Sequence, residues 1–170
     1  FPREVSDEAL KMPAELSQAD IDQALSRGRA DLRDLKTMTI DGKDAKDLDD
    51  AISIEKLADG RYRLWVHIAD VAEYVREGSP IDKEARLRGN SVYLVDRVLP
   101  MLPPQLSNGI CSLNPKQVRL ALTCMLTFSD DGEMLEGEVY ESVIRSDLRG
   151  NYDDVFKSLE EQTPVEGYED

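Results

Sequence analysis

Residues 39–51, TIDGKDAKDLDDA, place five aspartates (Asp41, Asp44, Asp47, Asp49 and Asp50) and two lysines (Lys43 and Lys46) within thirteen positions. Two carboxylates about 5 Å apart repel by about 3 kcal/mol at an effective dielectric near 20. Acids crowded this way either spread into water or gather around a cation. Oxygen donors suit a hard divalent ion such as Mg²⁺ or Mn²⁺.

Spacing narrows the choice. Asp41 and Asp47 lie six apart, so a straight helix does not unite them, and Gly42 between them favours a turn. Asp47 and Asp49 share one face of an extended segment while Asp50 points the other way. All four converge only if the backbone folds around a common centre. An EF-hand calcium loop is excluded: it needs Gly at position 6 and Glu at position 12. Counting from Asp41 gives Lys46 and Ile52 there, and counting from Asp47 gives Ile52 and Ala58. The competing reading is a solvated loop with Lys43 and Lys46 as counter-charges. The flanks favour the site, because Thr39-Ile40 and Ala51-Ile52-Ser53-Ile54 are β-prone and would hold the loop between two strands.

The elements around this loop read as an α+β domain with a mostly antiparallel or mixed sheet and flanking helices. Residues 1–16, with Pro2 and Pro13, read as a linker or extended lead-in. Ser17 caps a short helix, with Asp20 at the capping-box position and Gly28 as its stop. Residues 1–30 thus make a lead-in and short helix, and 31–160 the body of the domain. AISIEKL and RYRLWVHI flank Asp59-Gly60, and VRLALTCMLTFS and EMLEGEVYESVIRS flank Asp131-Gly132, the strongest short-range signals for hairpins. Ser79 and Pro80 start a helix that Gly89 ends. SVYLV is extended, and LPMLPPQLSN is an irregular loop because of its prolines. Asn151 caps a final helix, YDDVFKSLEE, and residues 161–170 read as a frayed tail.

Composition bounds the rest. With 41% hydrophobic and 33% charged residues the chain reads as soluble, and runs such as LALTCML fall far short of a membrane span of about 20 residues. No secretion signal opens it, and Cys111 and Cys124, the only cysteines, read as reduced buried hydrophobes, which points to the cytoplasm. A net charge of −14 argues against non-specific nucleic-acid binding by the domain as a whole. It is compatible with a nuclease whose acidic centre a metal neutralises. Arg27, Arg29, Arg33 and Lys36, and then Lys83, Arg86, Arg88 and Arg97, either touch phosphates or form solvated faces. His67, the only histidine, reads as a hydrogen-bonded core residue rather than a general base, and Trp65 as core. Asp70 either caps the following turn or orients a group near the acidic loop.

DLRDLKTMTIDGKDAKDLDDA, WVHIADVAEYV, EARLRGNSVYL and LPMLPPQLSNGICSL, in that order, resemble the catalytic domain of the ribonuclease II/ribonuclease R family of 3′→5′ exoribonucleases, with details closer to ribonuclease R. The resemblance covers roughly residues 30–160. It implies that Asp41, Asp47, Asp49 and Asp50 are the active-site aspartates and that Asp44 is a solvated loop acid. It also implies a two-metal hydrolysis, with Mg²⁺ (or Mn²⁺) ions about 3.5–4 Å apart at the scissile phosphate. Asp41 and Asp50 would be ligands, Asp47 a ligand or orienter, and Asp49 indispensable to the chemical step. Tyr93 matches the tyrosine that stacks on the 3′-terminal base, and Tyr152 a second tyrosine near the terminal nucleotides. Read without the family, Tyr93 is a strand aromatic packed on the core and Tyr152 the first turn of a packed helix.

The implied substrate is the 3′ end of single-stranded RNA, with no DNA and no membrane, and the implied product a nucleoside 5′-monophosphate. Family catalytic domains are about twice this long, so the resemblance places here only the first half. The second half and the flanking oligonucleotide-binding domains are expected elsewhere, and the isolated fragment is expected to be inactive. Two rivals stand beside this reading: a non-catalytic regulatory module of the same fold, and an acidic divalent-cation-binding protein without substrate.

Overall fold

Caps and turns set most element boundaries in the computed structural model, which describes residues 1–162. Helix α1 (Arg3–Ala9) follows Pro2 and buries Val5 and Ala9. Helix α2 (Gln18–Ser26) starts with a full capping box: the Ser17 hydroxyl accepts from the Asp20 amide, and the Asp20 carboxylate accepts from the Ser17 amide. Gly28, at φ 98°, turns the chain away from it. Strands β1 (Ala30–Asp31) and β2 (Met38–Asp41) precede the acidic loop, and β3 (Asp50–Lys56) follows it. β3 and β4 (Tyr62–Ala69) form the first hairpin, paired from Asp50↔Ile68 to Lys56↔Tyr62. A 3-10 turn (Val71–Glu73) leads to helix α3 (Pro80–Arg88), capped by the Ser79 hydroxyl and ended by Gly89. Among the described residues, β5 (Val92–Tyr93) and β6 (Val98–Leu99) pair only with each other. β7 (Val118–Phe128) and β8 (Met134–Arg145) form the second, longer hairpin. Strand β9 (Leu148–Asn151) runs directly into helix α4 (Tyr152–Glu160), capped by the Asn151 side chain.

Seven strands join in one mixed sheet of order β1-β8-β7-β4-β3-β2-β9. Its centre is antiparallel, and a parallel strand closes each edge: β1 beside β8, and β9 beside β2. This is the expected α+β architecture. The inner face packs Ala51, Ala69, Ala121 and Ile144 against Val5 and Ala9 of α1, Ile81 of α3, and Leu106, Ile110 and Leu113. A smaller cluster seats Ile21 and Ala24 of α2 on Leu120 and Val143. The outer face carries Ile54, Ile68, Leu122 and Val139, all exposed.

The inner face is also crossed by a chain of polar side chains. Thr37 and Ser53 hydroxyls meet at 2.8 Å, Ser53 and His67 Nε2 at 3.1 Å, His67 Nδ1 and Thr123 at 2.8 Å, and Thr123 and Ser142 at 2.6 Å. A buried polar group costs little when its partners are present and much when they are not. His67, fully buried, is therefore the core residue its apolar strand suggested.

Several sequence expectations are corrected. Residues 1–16 are not simply an extended lead-in, because α1 inserts two apolar side chains into the main core. The proline-rich segment is not wholly irregular: its prolines precede a wide helical turn, Gln105–Ile110, kinked at Gly109 (φ −106°, ψ −113°). Cys111 is buried, but Cys124 is only half-buried on the outer side of the sheet. Five arginines of the two basic groups pair with acids at the surface, within the solvated-face reading. Arg27 binds Glu73, Arg33 binds Asp31, Arg86 binds Asp82, Arg88 binds Glu84 and Arg97 binds Asp96. The frayed-tail expectation falls mainly on residues 163–170, outside the described residues. Among the described residues, no helix is long and apolar enough to cross a membrane.

Burial pushes the His67 pKa down from 6.5 to about 4. The unfolded chain therefore takes up the imidazole proton first as pH falls. The stability this residue contributes is complete above about pH 6.5, declines between 6.5 and 4, and is absent below. Between pH 7 and pH 4 the unfolding free energy of the parent should fall by about 3 kcal/mol more than that of a His67→Gln variant, measured by urea denaturation.

Candidate functional site

Residues 42–49 connect β2 to β3, antiparallel neighbours in register at Met38↔Ile52. Asp41, the last residue of β2, and Asp50, the first of β3, therefore stand at the two stems of one loop. The loop itself is fixed through its backbone. The Ala45 amide donates to the Gly42 carbonyl at 3.1 Å. Arg149 Nη2, reaching from β9, donates to the carbonyls of Lys43 at 2.8 Å and Ala45 at 2.6 Å. The Ser112 hydroxyl donates to the Lys46 carbonyl at 2.9 Å and accepts from the Leu48 amide at 3.1 Å. The Leu113 amide holds the Leu48 carbonyl at 2.8 Å, and the Ala69 amide holds that of Asp49 at 2.9 Å.

Leu48 is 1% exposed and belongs to the main core. Its neighbours Asp47 and Asp49 stay outside, half-buried and exposed respectively, which is the alternation expected of an extended segment. Asp44 is exposed, as a solvated loop acid should be.

The four aspartates feel one another. Burial first, then the charges of Asp50 and Asp47, push the Asp41 pKa up, and Arg149 pulls against them. One Asp41 carboxylate oxygen, Oδ2, is buried with no hydrogen-bond partner among the described residues. Asp49 is also raised, by desolvation and then by Asp47, Asp50 and Asp41. Asp49 is exposed by area, yet the protein crowded around it removes enough water to disfavour its charge. Among the described residues, however, no three His, Cys, Asp or Glu side chains converge closely enough to cage an ion. The structure brings the carboxylates into mutual influence, not onto a single point. Their repulsion gives a physical reason, since each close pair costs about 3 kcal/mol at 5 Å. The donor set, all carboxylate oxygen with one buried oxygen unsatisfied, fits a hard divalent cation held by some or all of Asp41, Asp47, Asp49 and Asp50.

Both tyrosines lie open beside the loop. Tyr93 is 65% exposed, and its hydroxyl donates to Asp47 Oδ2 at 2.8 Å. That bond, with burial and the charges of Asp47 and Asp49, holds the phenol above its ordinary pKa and keeps it a donor. Tyr152 is 64% exposed and follows Asn151, the residue that pairs with Asp41 in the β2–β9 register. The adjacent Asp153 binds Lys43 across the loop at 2.9 Å. Neither ring is packed in the core, so the reading of each as a packing residue is not upheld. Trp65 is buried as expected. Asp70 neither caps the turn after it nor reaches the loop: it accepts from Arg29 at 2.6 Å, a guanidinium buried beneath Asp70 and Glu73.

Comparison with known proteins fits this geometry. The model of the RNB domain matches residues 29–167. The chain belongs to the RNB domain family. Ribonuclease R of Thermotoga maritima is 50% identical over 169 residues, which are 99% of this chain and 23% of that protein. The structure of Mycoplasma genitalium RNase R in complex with ribose-methylated single-stranded RNA superposes with a TM-score of 0.88 at 37% identity, over 98% of this chain and 25% of that one. The chain thus spans about a quarter of the length of these relatives. Yeast Ssd1, described as a pseudonuclease, shares the fold at a TM-score of 0.76 and 20% identity, over 91% of this chain and 19% of that one.

Sequence reasoning found the aspartates but not what holds them. Arg149, Ser112 and Leu48 carry no local signal: an arginine in a strand, a serine after a cysteine and a leucine between acids are all common. They become visible only when distant segments meet. If Arg149 secures the loop, Arg149→Ala should speed hydrogen exchange of the Ala45 amide roughly tenfold, the loss of about one net hydrogen bond, while amides of β4 and β7 stay unchanged by NMR.

Proposed function

We propose that this chain forms the first part of the catalytic domain of a processive 3′→5′ exoribonuclease that releases nucleoside 5′-monophosphates from single-stranded RNA, aided by Mg²⁺ or Mn²⁺. The observation that carries this reading is the ordered loop of four electrostatically coupled aspartates, with an unsatisfied Asp41 oxygen buried among them. The fold alone does not decide, because a pseudonuclease shares it. The carboxylates favour the catalytic reading, since a domain without catalytic work gains nothing from such repulsion.

Asp41 and Asp50, on the two stems, hold the cation, and Asp47 binds or orients it. Asp49 is the carboxylate on which the chemical step depends. When bound, divalent ions supply an activated water and charge stabilisation for the phosphate under attack and the departing 3′-oxygen. Tyr93 offers an exposed ring to the terminal base, and such stacking accepts every base, as degradation of arbitrary sequence requires. Its hydroxyl on Asp47 ties that platform to the carboxylates. Tyr152 borders the same loop from α4. Cleavage is proposed to take place in the cytoplasm. Because the chain spans about a quarter of its relatives, the reading assigns the rest of the phosphate and RNA contacts to residues beyond these 170.

Two measurements test this. In the full-length protein, Asp49→Asn should slow RNA hydrolysis at least about a hundredfold, more than the loss of an outer-sphere partner costs, with RNA affinity within about twofold. An undiminished rate would leave a non-catalytic role standing. The 170 residues alone should bind Mg²⁺ weakly in calorimetry and leave labelled RNA intact, and processive digestion by this fragment would refute that part.

A further inference from the structure

The acidic loop is held from beneath by a turn that carries no acid of its own. Ser112 is fully buried, and its one hydroxyl serves both sides of Asp47, donating to the Lys46 carbonyl and accepting from the Leu48 amide. The next residue continues the contact, with the Leu113 amide on the Leu48 carbonyl. Together with the Ala69 amide on the Asp49 carbonyl, these bonds fix the peptide units around Asp47 and Asp49.

Ser112 is itself immobilised. Arg119, 2% exposed, donates from Nε to the Ser112 carbonyl at 2.9 Å and from Nη2 to the Gly109 carbonyl at 3.2 Å. Its other donors meet the Val118 carbonyl and Gln117 Oε1. A buried guanidinium that spends its donors on carbonyls and an amide is a fastening, not a phosphate contact. It clamps the kinked Gly109–Ser112 segment, from which the hydroxyl reaches the loop.

We infer that Ser112 is a positioning residue: its hydroxyl sets the spacing of the Asp47 and Asp49 carboxylates and so the affinity of the loop for its divalent ion. The inference rests on the exoribonuclease reading above and adds to it a residue that touches neither RNA nor metal. Without the hydroxyl, the Lys46 carbonyl and Leu48 amide lose their partner, and the peptide units on either side of Asp47 are held only by the Leu113 and Ala69 amides and the buried Leu48 side chain. Partners of this outer kind change metal affinity or activity about 10- to 100-fold when removed.

The test uses the full-length protein with Ser112→Ala and Ser112→Cys, the second of which keeps the volume but offers only a weak donor. Both should need about tenfold more Mg²⁺ for half-maximal hydrolysis, with KM for RNA close to the parent's and the protein still folded at the assay temperature. In the metal-free protein the Leu48 amide should exchange about tenfold faster in Ser112→Ala. Combined with Asp47→Asn, Ser112→Ala should cost little further, because it acts through that carboxylate. A parent-like Mg²⁺ response in either variant overturns the inference. So does a loss of activity that merely follows a loss of folding or of RNA binding. An active Asp49→Asn enzyme overturns the exoribonuclease reading and this inference with it, whereas an inactive Asp49→Asn beside a parent-like Ser112→Ala overturns the inference alone.

Discussion

Like charges do not organise themselves. Four carboxylates within one short loop push one another away, so whatever order they have must come from groups other than themselves. Here that order comes from the peptide backbone. Carbonyls and amides of residues 42–49 are taken up one after another by Arg149, Ser112, Leu113 and Ala69. Leu48 adds an apolar anchor, sinking between two acids into the main core. The side chains are thereby left with little to do except repel, bind a cation or accept from Tyr93.

Such fastening works only if the platform beneath it does not slide. A one-residue slip in a strand turns every side chain to the other face. The hydroxyl–imidazole chain from Thr37 through Ser53, His67 and Thr123 to Ser142 ties β3, β4, β7 and β8 together across the inner face, and each member has a partner only in the native register. Apolar packing alone would be more forgiving. The same strands carry Asp50 at one end and receive Asp49 through Ala69, so the stitching fixes where the acids begin.

What was legible in the sequence was local. The Asp-Gly turns named both hairpins, Ser17, Ser79 and Asn151 named three helix starts, and the crowding of aspartates named the loop. Each of these signals lies within a few residues of its effect. What was missed depends on partners far away. Helix α1 is short and bounded by Pro2 and Pro13, and what holds it is distant: Val5 and Ala9 are buried in the main core and its Glu8 carboxylate accepts from the Ile81 amide of α3. Arg29 looks like any surface arginine until Asp70 and Glu73 close over it. Tyr93 has the look of a strand aromatic, yet its strand pairs only with β6, outside the main sheet, and its ring stays uncovered. Ser112 is one of many serines until the turn at Gly109 brings it under the loop.

The parallel edge made by β2 and β9 has a bearing on how the protein is born. Arg149 must cross 104 and 106 positions of chain to reach the carbonyls of Ala45 and Lys43. While the ribosome is still decoding the segment between them, the acidic cluster exists as sequence but lacks its fastening. Its completion therefore waits on β9, and a polypeptide cut short before that strand keeps every aspartate while losing the Arg149 clamp.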